Sequence, residues 1–414
     1  MGRAPWVRLL REPRWTVLAA SFVTLVLVQG ATYTFPVFLV PLADALGGRR
    51  GAAAAAFSVH NVAVGVVATV VGPLMGRLGQ RAVLAAGAVI LGAGLAASGS
   101  ARSPLWLLVW FGLIAGTGAG LLGSVAQTVM LSRWFPTARG AVTGFALSGM
   151  GIGIFLFAPV SALLIDRFGW RGAFLALGAG TAVLLLPVNA LVPTTPSEPA
   201  PVSGVAARGG AEPRLVTIVP TLRFWCFALA SFFTPVSNMM VTTHQVAHIV
   251  GSGVDPRLAA SAFGLVGLLS GLGRTSFGAL SDRWGRVPTA LTSYAVTAAG
   301  TLALALIAPG APGWLLWAFV LPFGLSLGAR APIVAALAGD VYRGRAYGPV
   351  LGLITFGNRL GSAVGPWLGG VIYDLTGNYR AAFAGAIAAL AIAALAFVGA
   401  GWKRPAAGRG PSGV

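Results

Sequence analysis

Three arginines, Arg274, Arg330 and Arg359, sit inside long apolar stretches of a 414-residue chain. A cation at mid-bilayer costs at least about 2.5–3.5 kcal/mol on insertion scales, so such a residue faces a cavity or a partner. A guanidinium offers a planar fork that grips a carboxylate through two parallel hydrogen bonds. Arg274, in Gly271-Leu-Gly-Arg274, is therefore the first candidate for a substrate anchor. It precedes Asp282 by eight residues, which is roughly 12 Å of helix. Arg359 lies near the middle of another apolar stretch, where it supplies either a second positive charge to a substrate or a bond to a facing helix. Arg330, in Gly328-Ala-Arg-Ala-Pro332, reads as structural, a donor to a carbonyl that the neighbouring proline frees.

The acids do not balance these charges. All nine, Glu12, Asp44, Asp166, Glu198, Glu212, Asp255, Asp282, Asp340 and Asp374, fall at predicted helix ends or in loops. The unpaired charge at membrane depth is positive, so the complementary solute is negative. Tyr33, Gln127, Asn238 and Asn358 are the polar candidates for hydrogen bonds to it, with bonding across helices as the alternative use. Histidine alone titrates unperturbed near neutral pH, which makes His244 and His60 the proton-coupling candidates, ordinary packing being the alternative. No P-loop, catalytic constellation or metal-ligand run occurs, and Cys226 is the single cysteine. The expectation is a non-enzyme with no cofactor and no metal.

The elements that position these residues are apolar helices. The chain is 57% hydrophobic and 9% charged with a mean hydropathy of +0.84, far from the roughly quarter-charged soluble average. Apolar windows of about the 20 residues needed to cross a bilayer predict spans near 15–42, 53–76, 82–99, 104–131, 139–165 and 172–192. Six more are predicted near 223–249, 258–281, 288–308, 313–338, 347–373 and 381–401. The expected layout is an N-terminal six-helix bundle (1–192), a Pro/Gly/Ser/Ala-rich cytoplasmic linker (193–222), a C-terminal six-helix bundle (223–402) and a disordered cytoplasmic tail (403–414). The net charge of +19 does not indicate nucleic acid, because the basic residues stand singly or in pairs between apolar stretches. Eighteen of the 28 Lys and Arg fall on the side of the termini and linker and seven on the other. By the positive-inside rule both termini are cytoplasmic.

The halves repeat. Gly72-Pro-Leu-Met-Gly-Arg77-Leu-Gly79-Gln-Arg81 matches Gly278-Ala-Leu-Ser-Asp282-Arg283-Trp-Gly285-Arg286, and Asp166-Arg-Phe-Gly169 matches Asp374-Leu-Thr-Gly377 at nearly the same offset. Shared offsets at two distant places indicate a duplicated six-helix unit. This pattern resembles the major facilitator superfamily, whose G-x-x-x-D-R-x-G-R loop is complete at Gly278–Arg286 and has Gly76 in place of the aspartate beside Arg77 in the first copy. Tyr33-Thr-Phe-Pro36, Gly271-Leu-Gly-Arg274 and Arg133-Trp-Phe-Pro136 to Arg139-Gly140 are similar to the monocarboxylate porter and oxalate/formate antiporter branch. The chain departs from that branch at Val37, where animal porters carry lysine, and at Ser270, where they carry aspartate. It departs again at Asn358, where the oxalate antiporters carry lysine, here with Arg359 alongside.

The resemblance implies an all-α membrane protein of 12 transmembrane helices in two pseudo-symmetric six-helix bundles. It also implies a cytoplasmic gate formed by Gly278, Asp282, Arg283, Gly285, Arg286 and Arg77. The expected function is secondary transport, in a cell membrane and as a monomer, of a small carboxylate such as lactate or pyruvate, with a coupled proton. The rival readings are efflux of lipophilic drugs or neutral solutes, with the arginines purely structural, and a non-transporting membrane sensor or intramembrane enzyme.

Overall fold

The computed structural model describes residues 12–193, 215–342 and 347–401. Most of the expected linker and the whole expected tail lie outside these residues. The first half contains α1 (Pro13–Tyr33), α2 (Phe35–Ala45), α3 (Arg50–Leu78), α4 (Gln80–Ser98), α5 (Pro104–Leu107), α6 (Gly116–Leu122), α7 (Ser124–Trp134) and α8 (Arg139–Ala190). The second contains α9 (Leu215–Ile218), α10 (Leu222–Gly251), α11 (Pro256–Trp284), α12 (Arg286–Leu306), α13 (Trp314–Leu327), α14 (Arg330–Val341), α15 (Tyr347–Thr376) and α16 (Arg380–Gly401). The described residues contain no strand. Nine helical stretches among them are long and apolar enough to cross a membrane. Since one of the nine is the 52-residue α8, while α15 and the α13–α14 pair are not among them, the arrangement accommodates the expected twelve.

Two expected spans are less regular than their hydropathy suggests. The stretch 104–131 is interrupted by π-helical Leu108–Ala115 and by Gly123, whose ψ of −172° ends α6. The stretch 313–338 breaks at Gly328 and Ala329 into α13 and α14, because Pro332 has no N–H to offer the Gly328 carbonyl. Elsewhere the punctuation is the repeated glycine. Gly79 and Gly285, at the ends of α3 and α11, have φ of 82° and 90°, and Gly169 and Gly377 have φ of 66° and 73°. An L side chain is strained in these regions. Both sequence repeats thus mark matching backbone turns in the two halves.

Within the first half α8 packs along α1 and α4, while in the second half α10 packs along α15 and α16. The halves meet where α3 packs on α15, α8 on α11 and α2 on α10. One face of the molecule, where α3, α7 and α11 end at Arg77, Arg133 and Arg283, is the basic face. At the opposite face the halves are joined by a pair of related contacts. Asp374, in the last turn of α15, accepts from the backbone N–H of Arg50 (2.8 Å) and of Gly51 (2.9 Å) at the start of α3. Its counterpart in the repeat, Asp166 of α8, accepts from Arg257 Nη2 at the start of α11 (2.6 Å).

Glycines on the facing helices report how the halves diverge away from these contacts. Toward the opposite face, a Cβ on Gly264 would touch Phe155, and one on Gly370 would run into the backbone of Gly51. Toward the basic face, a Cβ on Gly76, Gly144, Gly278 or Gly352 would meet nothing within 4 Å. The halves are closed at the opposite face and splayed at the basic one.

Gly273 has a different role, since a Cβ there would overlap the Leu325 carbonyl and α11 and α13 could not keep their approach. Gly273→Ala is expected to cost about 1–3 kcal/mol by overpacking, read as a lowered Tm in detergent. Gly144→Ala, in open space, is the control and is expected to leave Tm unchanged.

Candidate functional site

A cavity of about 480 Å³ lies between the halves, walled by α1, α8, α10, α11, the α13–α14 break and α15. That volume is in the range of small-molecule sites. Much of the wall is apolar, from residues such as Leu147, Met150, Phe263 and Val266. Arg274, Arg330 and Arg359 all line it, and no Asp or Glu does among the described residues.

Arg274 projects from α11, with Ser270 and Gly271 one turn before it also on the cavity wall. Its Nε is shielded from solvent and has no hydrogen-bond partner, and it makes no ion pair among the described residues. Removing a guanidinium from water without a compensating acceptor is costly. A bound anion would supply that acceptor.

Arg359 comes from α15 and reaches the first half, where its aliphatic stem packs against the bare backbone of Gly65 on α3. It has no hydrogen bond or ion pair among the described residues. Tyr33, at the end of α1, faces it across the cavity. The Tyr33 hydroxyl donates to Asn61 Oδ1 at 3.1 Å, and Asn61 Nδ2 donates to the Phe57 carbonyl at 2.8 Å. The tyrosine is therefore held upright by α3. Asn358 also lines the cavity, so both neighbours on α15 border the same space.

Arg330 is the most embedded of the three. Its Nη1 donates to the Ser293 carbonyl (3.2 Å) and to Thr297 Oγ1 (2.7 Å), its Nη2 donates to Asn238 Oδ1 (2.8 Å), and its Cζ lies 4.9 Å from the centre of the Tyr294 ring. The expected bond to a proline-freed carbonyl is replaced by acceptors from α10 and α12. Sequence spacing carries no signal for partners on such distant helices.

The remaining candidates lie elsewhere. Gln127 does not line the cavity; its Nε2 donates to the Leu122 carbonyl at 2.9 Å, across the break at Gly123. His60 is buried between Phe57 and Phe111, with Nδ1 3.4 Å from the Phe111 carbonyl. His244 is buried beside Tyr379 and donates from Nε2 to the Pro366 carbonyl at 2.8 Å, while its Nδ1 has no partner. In the loop motif, Arg286 bonds Asp282 and Ser281 Oγ and lies 3.7 Å from Asp340. These contacts tie α11 and α12 to α14 inside the second half, whereas among the described residues Arg77 and Arg283 form no ion pair across the halves and a Cβ on Gly278 would meet nothing within 4 Å. Sequence reasoning missed Gln29, Thr242 and Thr355 on the cavity wall. Gln29 carried a usable signal, since it lies one helical turn before Tyr33 on the same face.

A largely apolar cavity between two related bundles, bearing cations that lack acids, is suited to holding a small anion out of bulk water. The profile of the Major Facilitator Superfamily matches residues 20–348. Monocarboxylate transporter 11 of Mus musculus is 32% identical over 388 residues, covering 89% of this chain and 83% of the relative. The uncharacterized MFS-type transporter YcxA of Bacillus subtilis is 25% identical over 373 residues, covering 88% of this chain and 90% of the relative. Among solved structures, nucleoside transporter NupG superposes with a TM-score of 0.74 at 13% identity, covering 94% of this chain and 99% of its own. A bacterial homolog of the human lysosomal transporter Spinster, in an inward-facing and unoccupied conformation, gives a TM-score of 0.67 at 15% identity, covering 94% and 97%. At those identities the two structures establish likeness of fold.

Proposed function

Because this chain belongs to the Major Facilitator Superfamily and is a multi-pass membrane transporter rather than an enzyme, we propose that its cargo is a small monocarboxylate of the lactate or pyruvate class, moved by alternating access. The observation that carries this reading is the cavity bearing Arg274 and Arg359 without an acidic neighbour. A cationic or neutral solute would leave those guanidinium groups unmatched, whereas a carboxylate supplies acceptors for the Arg274 fork. The names of relatives such as monocarboxylate transporter 11 support the same class.

We take the basic face as cytoplasmic, on the arginine bias, in a cell membrane, with both termini on that side and the protein working as a monomer. The conformation is then closed outward and open inward. Rocking of one half against the other about the cavity would exchange the two openings.

Proton symport belongs to the proposal, with His244 as carrier; each of His60 and His244 has one ring nitrogen on a carbonyl and the other unpartnered, but the 2.8 Å contact of His244 fixes its tautomer more firmly than the 3.4 Å contact of His60. A carbonyl only accepts, so the proton of neutral His244 sits on Nε2 and its unpartnered Nδ1 is the free basic site. His244→Gln is expected to keep carboxylate exchange while losing the stimulation of uptake by an imposed pH gradient. Stimulation as large as in the unsubstituted protein would exclude His244 from coupling.

The test of substrate class is a thermal-shift titration of purified protein with lactate, pyruvate and their uncharged amides. A ligand at a hundred times its Kd stabilises the folded state by about 2.7 kcal/mol. The carboxylates are expected to raise Tm and the amides are not. Equal shifts with both would remove the case for an anion.

A further inference from the structure

We propose that Arg330 is a positioning residue, and that what it positions is a hydrogen-bond donor for the substrate: it holds the Asn238 carbonyl oxygen so that the amide nitrogen is turned into the cavity. The inference rests on the carboxylate reading above and adds a second point of recognition on α10.

The geometry begins with a constraint on the amide. A guanidinium has donors only, so the atom of Asn238 that meets Arg330 Nη2 at 2.8 Å must be Oδ1. The alternative orientation would set N–H against N–H. Asn238 Nδ2 is therefore directed away from Arg330. It has no hydrogen-bond partner among the described residues, it is not among the side-chain atoms shut off from solvent without one, and Asn238 lines the cavity.

Arg330 itself is committed elsewhere. Its remaining bonds go to the Ser293 carbonyl and Thr297 Oγ1, and it lies against the Tyr294 ring. These supports are in turn fixed: Tyr294 shares a 2.7 Å hydrogen bond with Thr234, and Thr297 shares one of 2.7 Å with Ser326. The cluster ties α10, α12 and α13 together and fixes both Nη atoms of Arg330 on protein acceptors, while its Nε is buried without a partner. Its influence on recognition passes through Asn238. The donor it presents, together with the Arg274 fork, gives a carboxylate donors from both α10 and α11.

The test is lactate counterflow in proteoliposomes, with KM, maximal rate and Tm measured for each variant. Asn238→Asp keeps the size of the side chain and still accepts from Arg330, now as an ion pair, but offers the cavity an acceptor oxygen. It is expected to raise KM at least ~10-fold, the worth of a lost hydrogen bond to a charged group, with Tm unchanged. Arg330→Lys keeps the charge but loses the planar fork whose two Nη atoms meet Thr297 and Asn238 separately, and is expected to raise KM several-fold with the maximal rate largely retained. A purely structural Arg330 would instead lower Tm and the maximal rate at constant KM, and that result in either variant overturns the inference. Arg274→Ala in the same assay separates the two claims. Uptake lost in that variant with KM unaltered in Asn238→Asp overturns this inference alone. Absence of carboxylate uptake by the unsubstituted protein overturns the carboxylate reading and this inference with it.

Discussion

Arg274→Ala is expected to reduce carboxylate uptake by between roughly 30-fold and several thousand-fold, the range that follows from the about 2–5 kcal/mol lost when one partner of a buried, hydrogen-bonded charge pair is truncated. The magnitude comes from the site. Arg274 makes no ion pair among the described residues, its Nε is buried without a partner, and the cavity wall offers it no carboxylate. A bound carboxylate would be its principal acceptor. Arg274→Lys keeps the charge but not the planar fork, so partial activity with a raised KM is expected. Arg359→Ala should lose less than Arg274→Ala, because the Arg359 stem is also packing against Gly65 and part of its contribution is contact between the halves. Initial rates in proteoliposomes reconstituted to equal protein content check all three. Unimpaired uptake by Arg274→Ala would remove the anchor.

The second large effect is expected on conformation. Asp374 holds the N-terminal turn of α3 from across the junction, accepting two backbone N–H groups where the helix dipole also favours a negative charge. Arg50 adds to this junction, with its guanidinium 3.4 Å from Asp44 and 5.7 Å from the centre of the Tyr373 ring. The Asp166–Arg257 contact is the related one in the repeat, but both side chains are exposed and solvent screens it. Asp374→Ala should therefore open the opposite face more than Asp166→Ala, and the double substitution more than either. In a Cys226→Ala background, Thr242→Cys on the cavity wall is expected to react with a membrane-impermeant thiol reagent several-fold to about ten-fold faster once Asp374 is replaced by alanine. That corresponds to a shift of up to about 1.4 kcal/mol between states. An unchanged labelling rate would mean that the backbone contacts of Asp374 do not hold the closed state.

Both effects involve residues that the sequence marks, but it marks them unequally. Arg274 and Arg359 are conspicuous because charge at membrane depth is costly, and a cost can be read without knowing the neighbours. Asp166 and Asp374 are recognisable as a repeat, as are Gly79, Gly285, Gly169 and Gly377, since the turns at these glycines require positive φ. What those aspartates grip is invisible in sequence: Arg50 and Asp374 are 324 positions apart and meet only when the halves close. The role of Arg330 is hidden for the same reason, because its acceptors sit on α10 and α12 and local spacing points instead to its own proline. Gln127 looks identical to Asn238 as a polar residue in an apolar stretch. The difference is the helix break at Gly123, which leaves a carbonyl for Gln127 to satisfy, and hydropathy has no term for a break of that kind. The helical, multi-span character of the chain is legible for the same reason that hydropathy works at all, whereas the π-helical turn and the break between α13 and α14 depend on backbone hydrogen bonding that apolar windows average away.

Selection of an anion by the positive charge in the cavity is what the proposed function rests on. Its most direct test is saturable uptake of labelled lactate by the unsubstituted protein in proteoliposomes, competed by excess pyruvate or by excess lactamide, which has nearly the shape of lactate and no charge. Pyruvate is expected to abolish uptake, and lactamide at the same concentration to leave it within about twofold of the uncompeted rate. Equal competition by the two, or uptake that proceeds regardless of either, would contradict anion selection.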